Sequence, residues 1–160
     1  MVIAATGHRP NKLEKEYDMI GPMSDWIVTK MDEVLDEYKP SQCISGMALG
    51  IDILFAVCAI SKGIPVLAAI PFKGQESMWP QKSQDTYNAI LRHKLVEKVY
   101  VCDPGYSAKK MQVRNQYMTD RCDILLAFWD GTSGGTCNCV NYARKVGAEI
   151  IRVDVREFKL

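Results

Sequence analysis

Three short stretches of this chain lead out of apolar runs through glycine: "TGHRP" (6–10), "SGMALG" (45–50) and "WDGTSGGT" (129–136). Glycine reaches positive φ without strain and lets another group touch the main chain. Where a helix starts at such a turn, its first N–H groups are free and carry partial positive charge, which suits a phosphate or carboxylate. The turns at 45–50 and 131–136 offer two such helix starts. The chemistry expected is therefore the holding of an anionic ligand. Thr6, Gly7, Ser45, Gly46, Gly134, Gly135 and Thr136 would cradle its phosphate and ribose, with the ligand itself lying against "SGMALG". His8, Arg9, Met47, Gly50 and Asn138 stand beside these turns. A fourth stretch, "PFKGQE" (71–76), brings Phe72 and leads into a polar loop whose Trp79 would cap a base. Neither G-x-x-x-x-G-K-[ST] nor G-x-G-x-x-G occurs, so ATP hydrolysis and NAD redox chemistry have no support and no cofactor is expected.

Reactive side chains are few. Asp52 and Asp130 are the carboxylates nearest the turns. Asp52 either acts as acid or nucleophile or steadies the start of its helix; Asp130 either shares that role or forms a turn. His8 is a base or an ordinary loop histidine. Arg114, in "KKMQVRNQYM" (109–118), sits beside a stripe of Met111, Asn115, Met118 and Cys122. It either grips a phosphate through its planar fork or makes a surface salt bridge. Trp79 either stacks on a base or packs, and packing is expected for Trp129.

These groups need a frame. Apolar runs at 2–6, 41–45, 64–72, 98–102, 123–129 and 149–155 read as strands. Between them, amphipathic stretches at 23–38, 50–63, 83–97, 108–122 and 134–147 read as helices, with Ser24 as a helix N-cap and Gly63 and Gly147 as stops. This alternation predicts an α/β fold: a Rossmann-like three-layer sandwich with a mostly parallel sheet of about six strands and helices on both faces. In such sheets ligands bind beyond the carboxyl ends of the strands, at the switch in strand order, which gathers the four stretches on one edge.

The chain has 160 residues, enough for one domain with a real core. It is 48% hydrophobic and 24% charged, with a formal net charge of +1. Binding along nucleic acid calls for a basic stripe, so nucleic acid is not expected as a partner. No apolar run approaches the ~20 residues of a membrane span, and no signal-peptide pattern opens the chain; the expected location is the cytoplasm. Of six cysteines only Cys137 and Cys139 are close, and His8 and His93 are distant in sequence, so no metal site is expected.

"TGHRP", "ISGMALGID", "IPF.GQE..WP", "KMQVRNQYM" and "SGGT.N" occur in this order across residues 3 to 155. The combination resembles the YpsA-like group of the SLOG superfamily, whose Rossmann-like fold is shared with the LOG phosphoribohydrolases and the DprA core. Members are carried by bacteria and phages. The resemblance implies a nucleotide or nucleotide-derived ligand at the carboxyl edge, and self-association. LOG-like enzymes cut the N-glycosidic bond of a nucleotide with an arginine in M-x-x-R-[KN]-x-x-M and a glutamate three residues after Gly-Thr. Met111, Arg114, Asn115 and Met118 match the first motif. Cys139 stands where the glutamate would, beside Asn138. An oxocarbenium-like transition state needs a carboxylate, which would have to come from Asp52, Asp130 or Glu76. The reading expected first is a protein that binds a nucleotide-derived small molecule, as sensor or sequestering protein. The alternatives are a LOG-type glycoside hydrolase or transferase and a DprA-like nucleic-acid-associated protein.

Overall fold

The structure, a computed structural model, describes residues 1–13 and 19–159. Six strands, β1 (Val2–Gly7), β2 (Gln42–Ser45), β3 (Val66–Ile70), β4 (Val96–Tyr100), β5 (Ile124–Phe128) and β6 (Glu149–Val153), form one sheet in the order β4-β3-β2-β1-β5-β6. Every pairing is parallel, not merely most of them. The helices are α1 (Pro22–Tyr38), α2 (Ile51–Ser61), α3 (Gln81–Leu91), α4 (Ala108–Asp120) and α5 (Gly135–Val146).

Period-two alternation along the strands feeds two cores. Ile3, Ala5, Cys43, Ile124, Leu126 and Phe128 point to one face, where α1, α2 and α3 supply Ile27, Met31, Phe55 and Tyr87. Ala4, Ile44, Leu125 and Ala127 point to the other, where α4 and α5 supply Met118, Cys139, Val140 and Ala143. Burial on both faces explains why β5 reads ILLAF with no polar residue. The α/β three-layer architecture is as expected.

The chain winds outward from β1 through β2 and β3 to β4, then returns to lay β5 against the other side of β1. The strand order therefore switches between β1 and β5, where Thr6 pairs with Ala127 and Gly7 with Phe128. Helices leave the carboxyl ends of these strands in opposite directions and open a crevice.

Some boundaries differ from the sequence reading. Helix α1 begins at Pro22 with Gly21 as its cap residue, and Ser24 is buried inside the first turn. Proline at the first helical position has its φ already set and lacks an N–H that would go unpaired. Helix α3 ends at Leu91 and β4 begins at Val96, several residues earlier than the apolar spacing predicts. The His93 Nδ1 accepts the Leu95 N–H (3.1 Å) and the His93 carbonyl accepts the Val96 N–H (3.0 Å), which turns the chain out of the helix. Among the described residues, no helix is long and apolar enough to cross a membrane.

Candidate functional site

A cavity of about 540 Å³ opens at the β1/β5 switch, within the range of small-ligand sites. Its floor is the end of β1 with Thr6 and Gly7. One wall is α4, through Met111, Gln112, Arg114 and Asn115; the opposite wall is the segment 132–138 leading into α5. Arg9, Asn11 and Lys12 stand exposed at the rim, on and beside a short 3-10 turn after β1.

The glycine-rich turn before α5 is held from behind. The Trp129 ring is buried and its Nε1–H donates to the Thr132 carbonyl (2.8 Å). The Arg152 guanidinium lies over that ring at 4.8 Å. Asp130 Oδ1 accepts both the Thr132 N–H (3.0 Å) and its hydroxyl (2.6 Å), which holds the Asp130 carboxyl down at about 2. With the turn fixed in this way, α5 starts at Gly135 with no side chain capping it, and a Cβ built on Gly134 or Gly135 would meet open space. The first N–H groups of α5 therefore face the cavity mouth without a protein acceptor from a capping side chain.

Arg114 lies between α4 and the ends of β2 and β3. It is 4% exposed. Its Nη1 donates to the carbonyls of Gly46 and Ala69, the latter at 3.4 Å, and its Nε donates to Asn115 Oδ1 (3.0 Å). A Cβ at Gly46 would fall 2.6 Å from Arg114 Cζ and 2.8 Å from Asp52 Oδ2. Gly46 is glycine because a guanidinium occupies the place of its side chain. What presses against Gly46 is thus Arg114 of the chain itself, while Ala48 of the same stretch lines the cavity. Asp52 accepts the Ala48 N–H (3.2 Å) and faces Arg114. Burial pushes its carboxyl up, against the pull of Arg114 and Arg9.

His8 is 6% exposed and lines the cavity. Its Nε2 lies 3.2 Å from both the Asp130 backbone nitrogen and the Asp130 Oδ1. Burial lowers its pKa below 6.5, with the Asp130 carboxylate opposing.

The cavity thus brings together Thr6, Gly7, His8, Arg9, Asp52, Arg114, Asn115, Gly134, Gly135, Thr136 and Asn138 of the expected residues. The others lie elsewhere. Ser45 is buried and bonds the Asp52 carbonyl (2.7 Å) and the Met47 N–H (3.1 Å), shaping the turn. Met47 is core, at φ +59. Gly50, at φ +95, allows close approach of the His8 carbonyl, 2.6 Å from where a Cβ would stand. Trp79 packs edge-on against Tyr87 (5.3 Å) on the α3 side of the sheet, and Phe72 lies behind Tyr106. Asp130 faces Thr132 and His8 and is absent from the lining, so it is a turn residue. Asn11, Lys12, Tyr106 and Gln112 were not foreseen. The first two follow "TGHRP" directly, and Tyr106 immediately precedes the Ser107 that caps α4, positions from which loop residues face a carboxyl-edge site.

A family model described as DNA recombination-mediator protein A matches residues 20–159. The chain belongs to that family. It is 31% identical over 138 residues to the uncharacterized SPbeta prophage-derived protein YoqJ of Bacillus subtilis, covering 77% of this chain and 81% of the relative. It is 26% identical over 143 residues to the UPF0398 protein YpsA of the same organism, covering 84% and 79%. Among solved structures it is similar to DNA processing protein A (DprA) from Streptococcus pneumoniae, with TM-score 0.69 and 16% identity, over 95% of this chain and 50% of that one. A DNA processing protein A from Helicobacter pylori, described for its single-stranded DNA binding mode, gives TM-score 0.69 at 18% identity, over 95% and 64%. The YpsA-like SLOG assignment made from the motifs holds, and the fold is that of the DprA structures. This chain spans about half the length of the Streptococcus pneumoniae chain.

Membership of the DNA recombination-mediator protein A family corrects the expectation that nucleic acid is not a partner. That expectation rested on a net charge of +1, yet a neighbour of the same fold binds single-stranded DNA. A charge summed over the chain misses local arrangement: among the described residues, the cavity gathers Arg9, Lys12 and Arg114 around one carboxylate, Asp52. Cys139, at the position of the LOG-type glutamate, is fully buried in the α4–α5 core, 3.7 Å from Thr119 Oγ1, and is not part of the lining. Among the described residues, no group of three or more His, Cys, Asp and Glu is placed to hold a metal ion.

Proposed function

We propose that this protein binds single-stranded nucleic acid across the carboxyl edge of its sheet, in the manner of a DNA processing protein A, and seats one phosphate of the strand on the start of α5. The observation that carries this reading is the uncapped Gly134–Gly135–Thr136 turn opening into a cavity that has, among the described residues, three cationic side chains and one carboxylate. Free N–H groups at a helix start and the helix dipole favour an anion. Exposed Arg9 and Lys12 add diffuse attraction for a strand leaving the cavity. Family membership and the single-stranded DNA binding described for a fold neighbour support the choice of ligand.

A second reading keeps the same phosphate seat for a free nucleotide-derived small molecule. It is favoured by the volume of the cavity, about 540 Å³, which suits one compact ligand. For glycosidic cleavage the one carboxylate among the described lining residues is Asp52, already bonded to Ala48 and facing Arg114.

Fluorescence anisotropy with a labelled 20-nucleotide strand tests the proposal. Gly135→Asp places a carboxylate in open space at the helix start, and should weaken binding at least tenfold while leaving the thermal midpoint near wild type. A labelled mononucleotide that binds at micromolar concentration, with no binding of the strand, would move the assignment to the second reading. A strand bound equally by wild type and Gly135→Asp would remove the α5 turn from the site.

A further inference from the structure

Tyr106 is a large aromatic left 77% exposed at the rim of the cavity. An exposed tyrosine alone says little, but this one is mounted. Its ring meets Phe72, itself buried, edge-on at 6.1 Å and 86°. The loop that carries it is pinned by one side chain: Lys110 Nζ donates to the carbonyls of Asp103 (3.0 Å), Pro104 (3.0 Å) and Gly105 (2.9 Å), and pairs with Asp103 Oδ1 at 3.3 Å. Ser107 then caps α4 by accepting the Lys109 N–H (3.2 Å). Gly105, at φ +105, makes the turn that aims the next residue outward. A lysine holding three consecutive carbonyls fixes the loop before any ligand arrives, so little side-chain or backbone freedom remains to be lost at Tyr106 on binding.

We infer that Tyr106 is a stacking platform for a nucleobase of the bound ligand, and that Lys110 is the positioning residue that presents it. The inference rests on the proposed phosphate seat at α5. That seat lies on the wall of the cavity opposite α4, so the ligand lies across the opening with its phosphate toward Gly135 and a base toward Tyr106. Stacking on an aromatic face tolerates any base, because every base has a π-face. The platform therefore selects for the presence of a base and not for its identity, and it excludes bare phosphates and sugar phosphates as preferred ligands.

The test compares two labelled strands of equal length and charge, oligo-dT and the same strand built from abasic tetrahydrofuran units, by anisotropy at fixed salt. Wild type should prefer oligo-dT by roughly tenfold. Tyr106→Ala should erase that preference while leaving affinity for the abasic strand unchanged, and Tyr106→Trp should restore it. Lys110→Met should reduce the preference with a smaller loss for the abasic strand, and should speed amide exchange in the 103–106 loop. Equal binding of both strands by wild type overturns the inference while leaving the phosphate seat intact. So does a Tyr106→Ala variant that keeps the preference. Failure of wild type to bind either strand removes the strand-binding reading on which the inference rests, and the platform for a strand's base with it.

Discussion

The contact between Arg114 and the β2 turn predicts a specific stability defect. Arg114→Met keeps the volume and the apolar stem but removes the guanidinium. The Gly46 and Ala69 carbonyls lose a donor, and Asp52 loses the cation it faces. Leaving a buried charge without its partner costs about 3–5 kcal/mol, against a total stability of about 5–15 kcal/mol for a typical domain. With a urea dependence of about 1–3 kcal/mol per molar, the midpoint at pH 7 should fall by roughly 2 M. The pH dependence identifies the cause. Burial already raises the Asp52 carboxyl, so the cost of keeping it ionised is felt above its folded pKa and disappears as pH falls through it. Removing Arg114 raises that pKa further. The gap between variant and wild type should therefore narrow between pH 7 and pH 5. Asp52→Asn in the Arg114→Met background should recover part of the loss, about 0.5–3 kcal/mol, as coupling between neighbouring sites allows. Urea denaturation followed by circular dichroism measures all of this. A variant that unfolds at the wild-type midpoint, or a deficit that is the same at both pH values and unmoved by Asp52→Asn, would refute the assignment of Arg114 as an internal strut.

Gly46→Ala should destabilise by about 1–3 kcal/mol, because the added carbon collides with Arg114 and Asp52 rather than with a flexible surface group; a thermal midpoint within a degree of wild type would show that this space is free. His8 has a folded pKa below its unfolded value, so it contributes stability above pH 6.5 that is lost as pH falls through the folded pKa. His8→Asn should flatten the dependence of the thermal midpoint on pH between 7.5 and 5, and an unchanged slope would place the titrating group elsewhere.

Much of the fold was legible because it is written in periodicity. The central strands lie between two helical layers, so a run such as ILLAF is apolar throughout and marks its element without knowledge of its neighbours, whereas the edge strands β4 and β6 carry exposed Glu97, Lys98, Glu149 and Arg152. The end of α3 was not legible. Leu91, Leu95 and Val96 continue a helical spacing, and the local bonds from Leu95 to the His93 ring and from Val96 to the His93 carbonyl break it. For the site, the carboxyl-edge rule located the turns, since Thr6, Gly7 and Gly134–Thr136 do meet in one cavity. The rule could not say who approaches each glycine. At Gly46 the visitor is Arg114, 68 residues away in the chain; at Gly7 it is Ile51, whose Cβ lies 2.8 Å from where a side chain would begin. Glycine reports that something comes near and is silent about what. Lys12 and Tyr106 were missed for a different reason: they sit in loops, where no repeat of apolar residues marks orientation.

The strand order has a consequence for how the molecule comes into being. Strand β1 is the centre of the sheet, and one of its two neighbours, β5, is separated from it by some 120 residues: the Val2 N–H donates to Asp123 Oδ2 (2.7 Å), and Ile3 stands opposite Ile124. On the ribosome, the half sheet from β1 to β4 is made first and waits with the β5 side of β1 unpaired. The crevice does not exist in that interval, since one of its walls, the Trp129 turn and the start of α5, has not been synthesised. The β1/β5 seam thus divides the parts of the crevice made early from those made late, and both walls exist only once β5 and the start of α5 have been synthesised.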